Sequence, residues 1–190
     1  QVVDALDEAF SLSFEFIEPT NKRIFLAVDV SGSMAQGSIC GVPNLTPRDG
    51  AAALAMQTMR TESNYAMVGF TDRIRQLGIS RHDSLEKVCK GLALGYEGTD
   101  CSLPMQEALE KRIAVDAFIL LTDNQTWAGR HAHPHQALNE YRKKTGINAK
   151  LVAVGMLSNG WTIGDPTDAG TLNVVGFDTN TPQIISDFIC

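Results

Sequence analysis

From Ile24 onward, short apolar runs rich in β-branched residues alternate with stretches of helical pattern, and this alternation most restricts what the chain can fold into. Ile24-Phe25-Leu26-Ala27-Val28 is apolar at every position rather than at alternate ones. That is the pattern of a strand in a sheet whose two faces are both covered by helices. Parallel neighbours need a crossover of a dozen or more residues, usually a helix, so repeated strand-helix units predict a doubly wound, mostly parallel α/β sheet. Strands are expected at Arg23–Val28, Tyr65–Phe70, Ala117–Leu121, Lys150–Val154 and Leu172–Val175. A further strand at Ile74–Leu77 follows its predecessor too closely for a helical crossover and is expected as an antiparallel edge.

Helix signals fill the intervals. Thr46-Pro47-Arg48-Asp49 combines an N-cap, a proline at the first helical position and an acidic residue placed to complete a capping box. The alanine-rich helix it opens runs to Arg60, and further helices are expected at Ser84–Leu92, Ser102–Lys111, Pro134–Lys144 and Pro182–Ile189. Val2–Phe16 carries a mixed amphipathic pattern that predicts a helix running into an extended arm, with Pro19-Thr20-Asn21 as the turn before the sheet. Residues 1–20 are thus expected to join a preceding domain, and residues 21–190 to form one α/β domain.

Composition excludes several classes. The net charge of −6 argues against a surface that grips nucleic acid throughout. Arg142-Lys143-Lys144 with Lys150 makes a small basic cluster that reads first as a solvated helix end, favourable to the helix dipole. No uncharged apolar stretch approaches the roughly 20 residues that span a bilayer, and the longest run, Ala114 to Leu121, contains Asp116. Cys40, Cys89, Cys101 and Cys190 form no Cys-x-x-Cys pair and read as free thiols. The chain begins at Gln1 without the basic-then-apolar layout of a signal peptide, so a piece of a larger cytoplasmic or nuclear protein is expected.

The chemistry gathers at the carboxyl ends of the strands, where an open parallel sheet places its ligands. The first strand is followed by Asp29-Val30-Ser31-Gly32-Ser33, the strand over Phe118-Ile119-Leu120-Leu121-Thr122 by Asp123, and Thr99 lies in a loop leading into a helix. These small oxygen-bearing side chains suit a hard divalent cation, Mg2+ first, with Mn2+ or Ca2+ as alternatives. Neutral hydroxyls of Ser31, Ser33 and Thr99 orient the ion without quenching its charge, while Asp29 and Asp123 complete or orient the shell.

Asp29-x-Ser31-x-Ser33 with Thr99 and Asp123 resembles the metal-ion-dependent adhesion site of von Willebrand factor A domains. Val28-Asp29-Val30-Ser31-Gly32-Ser33-Met34, Gly98-Thr99-Asp100-Cys101-Ser102-Leu103-Pro104-Met105, Thr122-Asp123-Asn124 and Glu140-Tyr141-Arg142-Lys143-Lys144 resemble the C-terminal domain of the Ro autoantigen (TROVE) family. So do Gly155-Met156-Leu157-Ser158-Asn159-Gly160, Asp165-Pro166 and Gly176-Phe177-Asp178-Thr179, and Val2–Asp7 with Glu18-Pro19-Thr20 fits the junction before that domain. The chain departs from the pattern at Glu97, where relatives often carry a glycine. The resemblance implies a cation-dependent protein-binding module in which an acidic group of a macromolecular partner completes the metal shell. Small noncoding RNA would be bound by the rest of the full-length protein, and no membrane is involved.

Enzymatic readings find little support. Asp29 at a strand tip invites comparison with aspartate phosphotransferases, but the second aspartate that chemistry wants two residues on is Ser31. Neither a Gly-x-Ser-x-Gly elbow nor a phosphate-binding Gly-x-x-x-x-Gly-Lys-Ser/Thr loop occurs. A third reading is a structural lid, whose cation ties loops together while the domain closes an RNA-binding ring. His131-Ala132-His133-Pro134-His135 reads as an exposed loop, Trp127 and Trp161 as loop residues that are either binding aromatics at the rim or packed under a loop, and Asp165 and Asp168 as turn organisers.

Overall fold

A computed structural model describes residue 12 and residues 17–95, 98–123, 133–158 and 163–190. Six strands, β1 (Ile24–Asp29), β2 (Tyr65–Phe70), β3 (Ile74–Arg75), β4 (Ala117–Thr122), β5 (Lys150–Gly155) and β6 (Thr171–Val175), form one sheet in the order β3-β2-β1-β4-β5-β6. All neighbours are parallel except β2 and β3. The expected antiparallel edge is therefore present, but it ends at Arg75 rather than Leu77. Leu77 instead lays its side chain over Gly69, within 3.0 Å of where a Cβ would stand there. Leu77 is half-buried there against an apolar cluster opposite the one that Ile74 joins.

The helices are α1 (Pro47–Thr61), α2 (Leu85–Gly91), α3 (Leu103–Glu110), α4 (Pro134–Thr145) and α5 (Thr181–Ile189). Alternation along each central strand sends side chains to two separate cores. Leu26, Val28, Ile119, Leu121, Val152 and Val154 face a cluster that includes Ala51, Ala52, Ala55 and Met59 of α1, Val88 of α2 and Ile185 of α5. Phe25, Ala27, Phe118, Leu120, Leu151 and Ala153 face the opposite cluster with Met105 and Ala108 of α3 and Leu138 and Tyr141 of α4. This two-sided burial is why the strand sequences are continuous apolar runs.

Local chemistry sets the helix ends. At α1 the capping box is complete: Asp49 N–H donates to Thr46 Oγ1 (3.3 Å), and Thr46 N–H donates to Asp49 Oδ2 (2.9 Å). Gly146, at φ +73°, stops α4 in the left-handed conformation that costs glycine least. At the amino ends of the strands, Arg23 forks onto Asp116 through Nε–Oδ2 (2.8 Å) and Nη2–Oδ1 (2.5 Å), tying β1 to β4.

The arm before β1 is described from Ile17. Thr20 N–H donates to Glu62 Oε1 (2.9 Å) and Ser186 Oγ donates to Glu18 O (3.4 Å), so the arm lies against the end of α1 and against α5. The helix expected at Val2–Phe16 lies outside the described residues, residue 12 apart. Among the described residues, no helix is long and apolar enough to cross a membrane.

Candidate metal centre

The sheet order places the topological switch between β1 and β4: β2 and β3 lie to one side of that pair, β5 and β6 to the other. Crossovers diverge there and leave a crevice at the carboxyl edge. Asp29 closes β1, and Asp123 follows the last residue of β4, so the crevice is lined by two carboxylates, both fully buried.

Asp29 organises the edge around itself. Its Oδ1 accepts a hydrogen bond from Ser31 N–H (2.9 Å), the short-range turn that aspartate makes with a backbone donor two residues on. That turn starts the 3-10 segment Gly32–Ala35 and sets Ser31 Oγ and Ser33 Oγ 3.0 Å apart. Oδ2 accepts from Thr122 Oγ1 (2.9 Å) and from Thr99 Oγ1 (3.4 Å). One carboxylate thus gathers groups that follow β1, end β4 and precede α3.

Thr99 is held from both sides. Gly98 takes φ +80°, a conformation open to glycine at little cost. On the other side, Asp100 N–H donates to Thr71 O (2.8 Å), while Asp100 Oδ1 accepts from Ser102 N–H (2.9 Å) and Ser102 Oγ (2.6 Å). The β2–β3 turn and the start of α3 therefore both fix the loop that presents Thr99.

Burial pushes the Asp29 carboxyl up to about 6, and the nearby charge of Asp123 adds to the rise; the bonds from Ser31 and Thr122 oppose it. Two buried carboxylates in mutual repulsion, with serine and threonine hydroxyls grouped beside them, fit a hard oxygen-seeking cation. The set does not fit zinc of the thiolate or imidazole type, and among the described residues no three His, Cys, Asp or Glu side chains group as a metal site.

All five residues nominated from the sequence, Asp29, Ser31, Ser33, Thr99 and Asp123, lie at this edge. Thr122 stands with them, bonded to Asp29. As the last residue of an apolar strand it reads as punctuation, and only the register, with Val28 opposite Leu121, brings its hydroxyl to Asp29.

Other sequence features are taken up structurally. Arg142 donates from Nε to Ala149 O (2.7 Å) and pairs through Nη1 with Asp168 Oδ2 (2.6 Å), locking the end of α4 to the loop before β6. Lys150 Nζ donates to Phe188 O (2.6 Å) and Ile189 O (3.2 Å) at the end of α5. Arg142 and Lys150 are thus drawn into internal bonds, while Lys143 and Lys144 stay exposed in the last turn of α4, the solvated helix end expected of the cluster. Asp165 Oδ1 accepts from Thr167 N–H (2.8 Å) and Oγ1 (2.7 Å), the turn role expected of it. His133 caps α4 with its Nδ1 2.7 Å from Nδ1 of His135. Glu97, Trp127, His131 and Trp161 lie outside the described residues.

Residues 23–189 match the family described as the Ro60 vWA domain. The chain is 44% identical over 189 residues to "RNA-binding protein RO60" of Deinococcus radiodurans, covering 99% of this chain and 35% of the relative. It is 37% identical over 191 residues to "RNA-binding protein RO60" of Caenorhabditis elegans, covering 100% of this chain and 29% of that protein. The chain therefore spans about a third of the length of these curated relatives. The crystal structure of the Deinococcus radiodurans RO (RSR) protein superposes with a TM-score of 0.89 at 43% identity, over 98% of this chain and 38% of that one. Proximal thread matrix protein 1 of the mussel byssus shares the fold alone, with a TM-score of 0.58 at 12% identity over 91% of this chain and 48% of the other.

Proposed function

The chain belongs to the Ro60 vWA domain family, and on that premise we propose that it is a divalent-cation-dependent protein-binding module within a larger RNA-binding Ro-type protein. The observation that carries this reading is the Asp29 carboxylate, whose two oxygens bond Ser31, Thr122 and Thr99 at the switch point beside Asp123. Ser31, Ser33 and Thr99 would ligate the ion directly. Asp29 and Asp123 would complete or orient its shell, directly or through water. Mg2+ fits first, with Mn2+ or Ca2+ as alternatives, and the ion would supply an electrophilic position for a carboxylate of the partner.

Small noncoding RNA would be bound by the remainder of the full-length protein, in the cytoplasm or nucleus, while this edge recruits a protein factor. The reading is one of binding rather than turnover, since Ser31 occupies the place where a phosphotransferase would need a second aspartate.

Because the same carboxylate ties three loops, a structural lid whose cation only stiffens the edge is the second reading. A pull-down in Mg2+ and in chelator, comparing the native chain with Asp29→Ala and reading both protein and RNA, separates the two. Protein captured in Mg2+ and lost in chelator and in Asp29→Ala is the expected result. Capture unchanged by chelator would sink the binding module. Loss of folding stability in chelator, with no protein recovered in either buffer, would favour the lid.

A further inference from the structure

Two histidines at the start of α4 play no part in the cation site. Pro134, at the first helical position, fixes the backbone between His133 and His135. Their rings face each other with centroids 4.6 Å apart and Nδ1 2.7 Å from Nδ1. His133 is itself pinned: its N–H donates to Gln136 Oε1 (3.0 Å), and its Nδ1 accepts from His135 N–H (3.5 Å). A ring nitrogen that accepts from a backbone N–H presents a lone pair. Two lone pairs facing each other at this spacing repel, so the arrangement calls for a proton or a metal ion between the rings. Partial burial and the neighbouring His135 hold the His133 imidazole below its ordinary value, which keeps it in the neutral form that binds metal. The carboxylate of Asp165 lies close enough for its charge to act on both rings.

We propose that His133 Nδ1 and His135 Nδ1 together bind a late first-row transition ion, Ni2+ or Cu2+ in preference to Zn2+, with water in its remaining positions. The spacing decides the geometry. Imidazole nitrogens bound at about 2.0–2.1 Å stand roughly 2.9 Å apart in neighbouring positions of a square-planar or octahedral ion, and roughly 3.3 Å apart on a tetrahedral one. The observed 2.7 Å lies nearer the first arrangement, which Ni2+ and Cu2+ adopt and structural Zn2+ does not. Only a small opening of the rings admits the ion in place of a shared proton. Asp165 offsets part of its charge without having to reach it. The site uses none of Asp29, Ser31, Ser33, Thr99 or Asp123, and its nitrogen donors do not suit Mg2+, which takes oxygen ligands. It therefore stands or falls independently of the cation-dependent reading above.

The test is an amide NMR titration of the 190-residue chain with Ni2+ and, separately, with Zn2+, in excess Mg2+. Ni2+ is expected to shift or broaden the Gln136 and Ala137 amide signals in the first turn of α4 with a saturable curve, and Zn2+ to do so at higher concentration. His133→Asn keeps a side chain able to cap the helix, and His135→Gln is an ordinary helical residue, so both chains should fold. Each should weaken Ni2+ binding by about tenfold or more, no less than loss of a group that only orients a ligand. His82→Gln, an exposed histidine in the turn before α2, should leave it unchanged. Gln136 and Ala137 signals that Ni2+ does not move would overturn the site, as would Ni2+ binding there that survives both His133→Asn and His135→Gln. Zn2+ bound more tightly than Ni2+ would overturn the geometry assigned to the pair.

Discussion

Asp29→Asn should fold at least as stably as the native chain in chelator near neutral pH, and should gain nothing from added Mg2+. Asparagine keeps the shape of the side chain and an acceptor for Ser31 N–H, so the turn into Gly32–Ala35 is retained. What it removes is a buried charge that faces Asp123. Burial and that neighbour push the Asp29 carboxyl from 3.8 to about 6, which corresponds to a cost on the order of 3 kcal/mol for keeping it ionised in the folded chain near neutral pH. On the proposed reading, a bound cation relieves that cost. Cation affinity should fall about 100-fold or more in Asp29→Asn, the upper end of what loss of a group orienting metal ligands does. Thermal unfolding of both proteins in chelator and in Mg2+ checks both halves. An Asp29→Asn chain much less stable than native in chelator would mean that the carboxylate is there to hold loops and not an ion.

The second large effect is a pH dependence of opposite sign in the two buffers. Because the folded-state value of Asp29 is raised, its contribution to stability is full below the unfolded value of 3.8 and is lost as pH rises through about 6. In chelator, this group should therefore make the native chain less stable between those limits, by on the order of 3 kcal/mol. Cation and proton compete for the same carboxylate, so binding of Mg2+ strengthens over the same interval and stabilises the fold by mass action. The difference in unfolding temperature between Mg2+ and chelator should be small near pH 4 and should grow on passing through about pH 6. Asp29→Asn should flatten it. A difference independent of pH would show that the ion does not bind at this carboxylate.

Much of this architecture is legible in the residues, for a physical reason. A strand buried on both faces must be apolar throughout, so β1, β4 and β5 announce themselves, and the capping box at Thr46 and Asp49 announces α1. Asp29, Ser31 and Ser33 are legible because they are adjacent in sequence, and Thr99 and Asp123 because each follows or precedes a recognisable element. What escapes is whatever depends on partners distant along the chain. Thr122 acquires its role only through the β1–β4 register. Arg142 and Lys150 read as exposed basic residues until Asp168 and the last carbonyls of α5 are brought to them. The contact of Leu77 with Gly69 of the neighbouring strand is likewise made across the sheet face, where no local pattern encodes it.

The central claim, that Asp29, Ser31, Ser33, Thr99 and Asp123 together hold one hard cation, is tested most directly by calorimetric titration of Mg2+ into the native chain near neutral pH, with Mn2+ and Ca2+ alongside. The account predicts saturable binding of a single ion per chain, abolished by Asp29→Asn. No binding of any of the three ions, or binding that Asp29→Asn leaves unchanged, would contradict it.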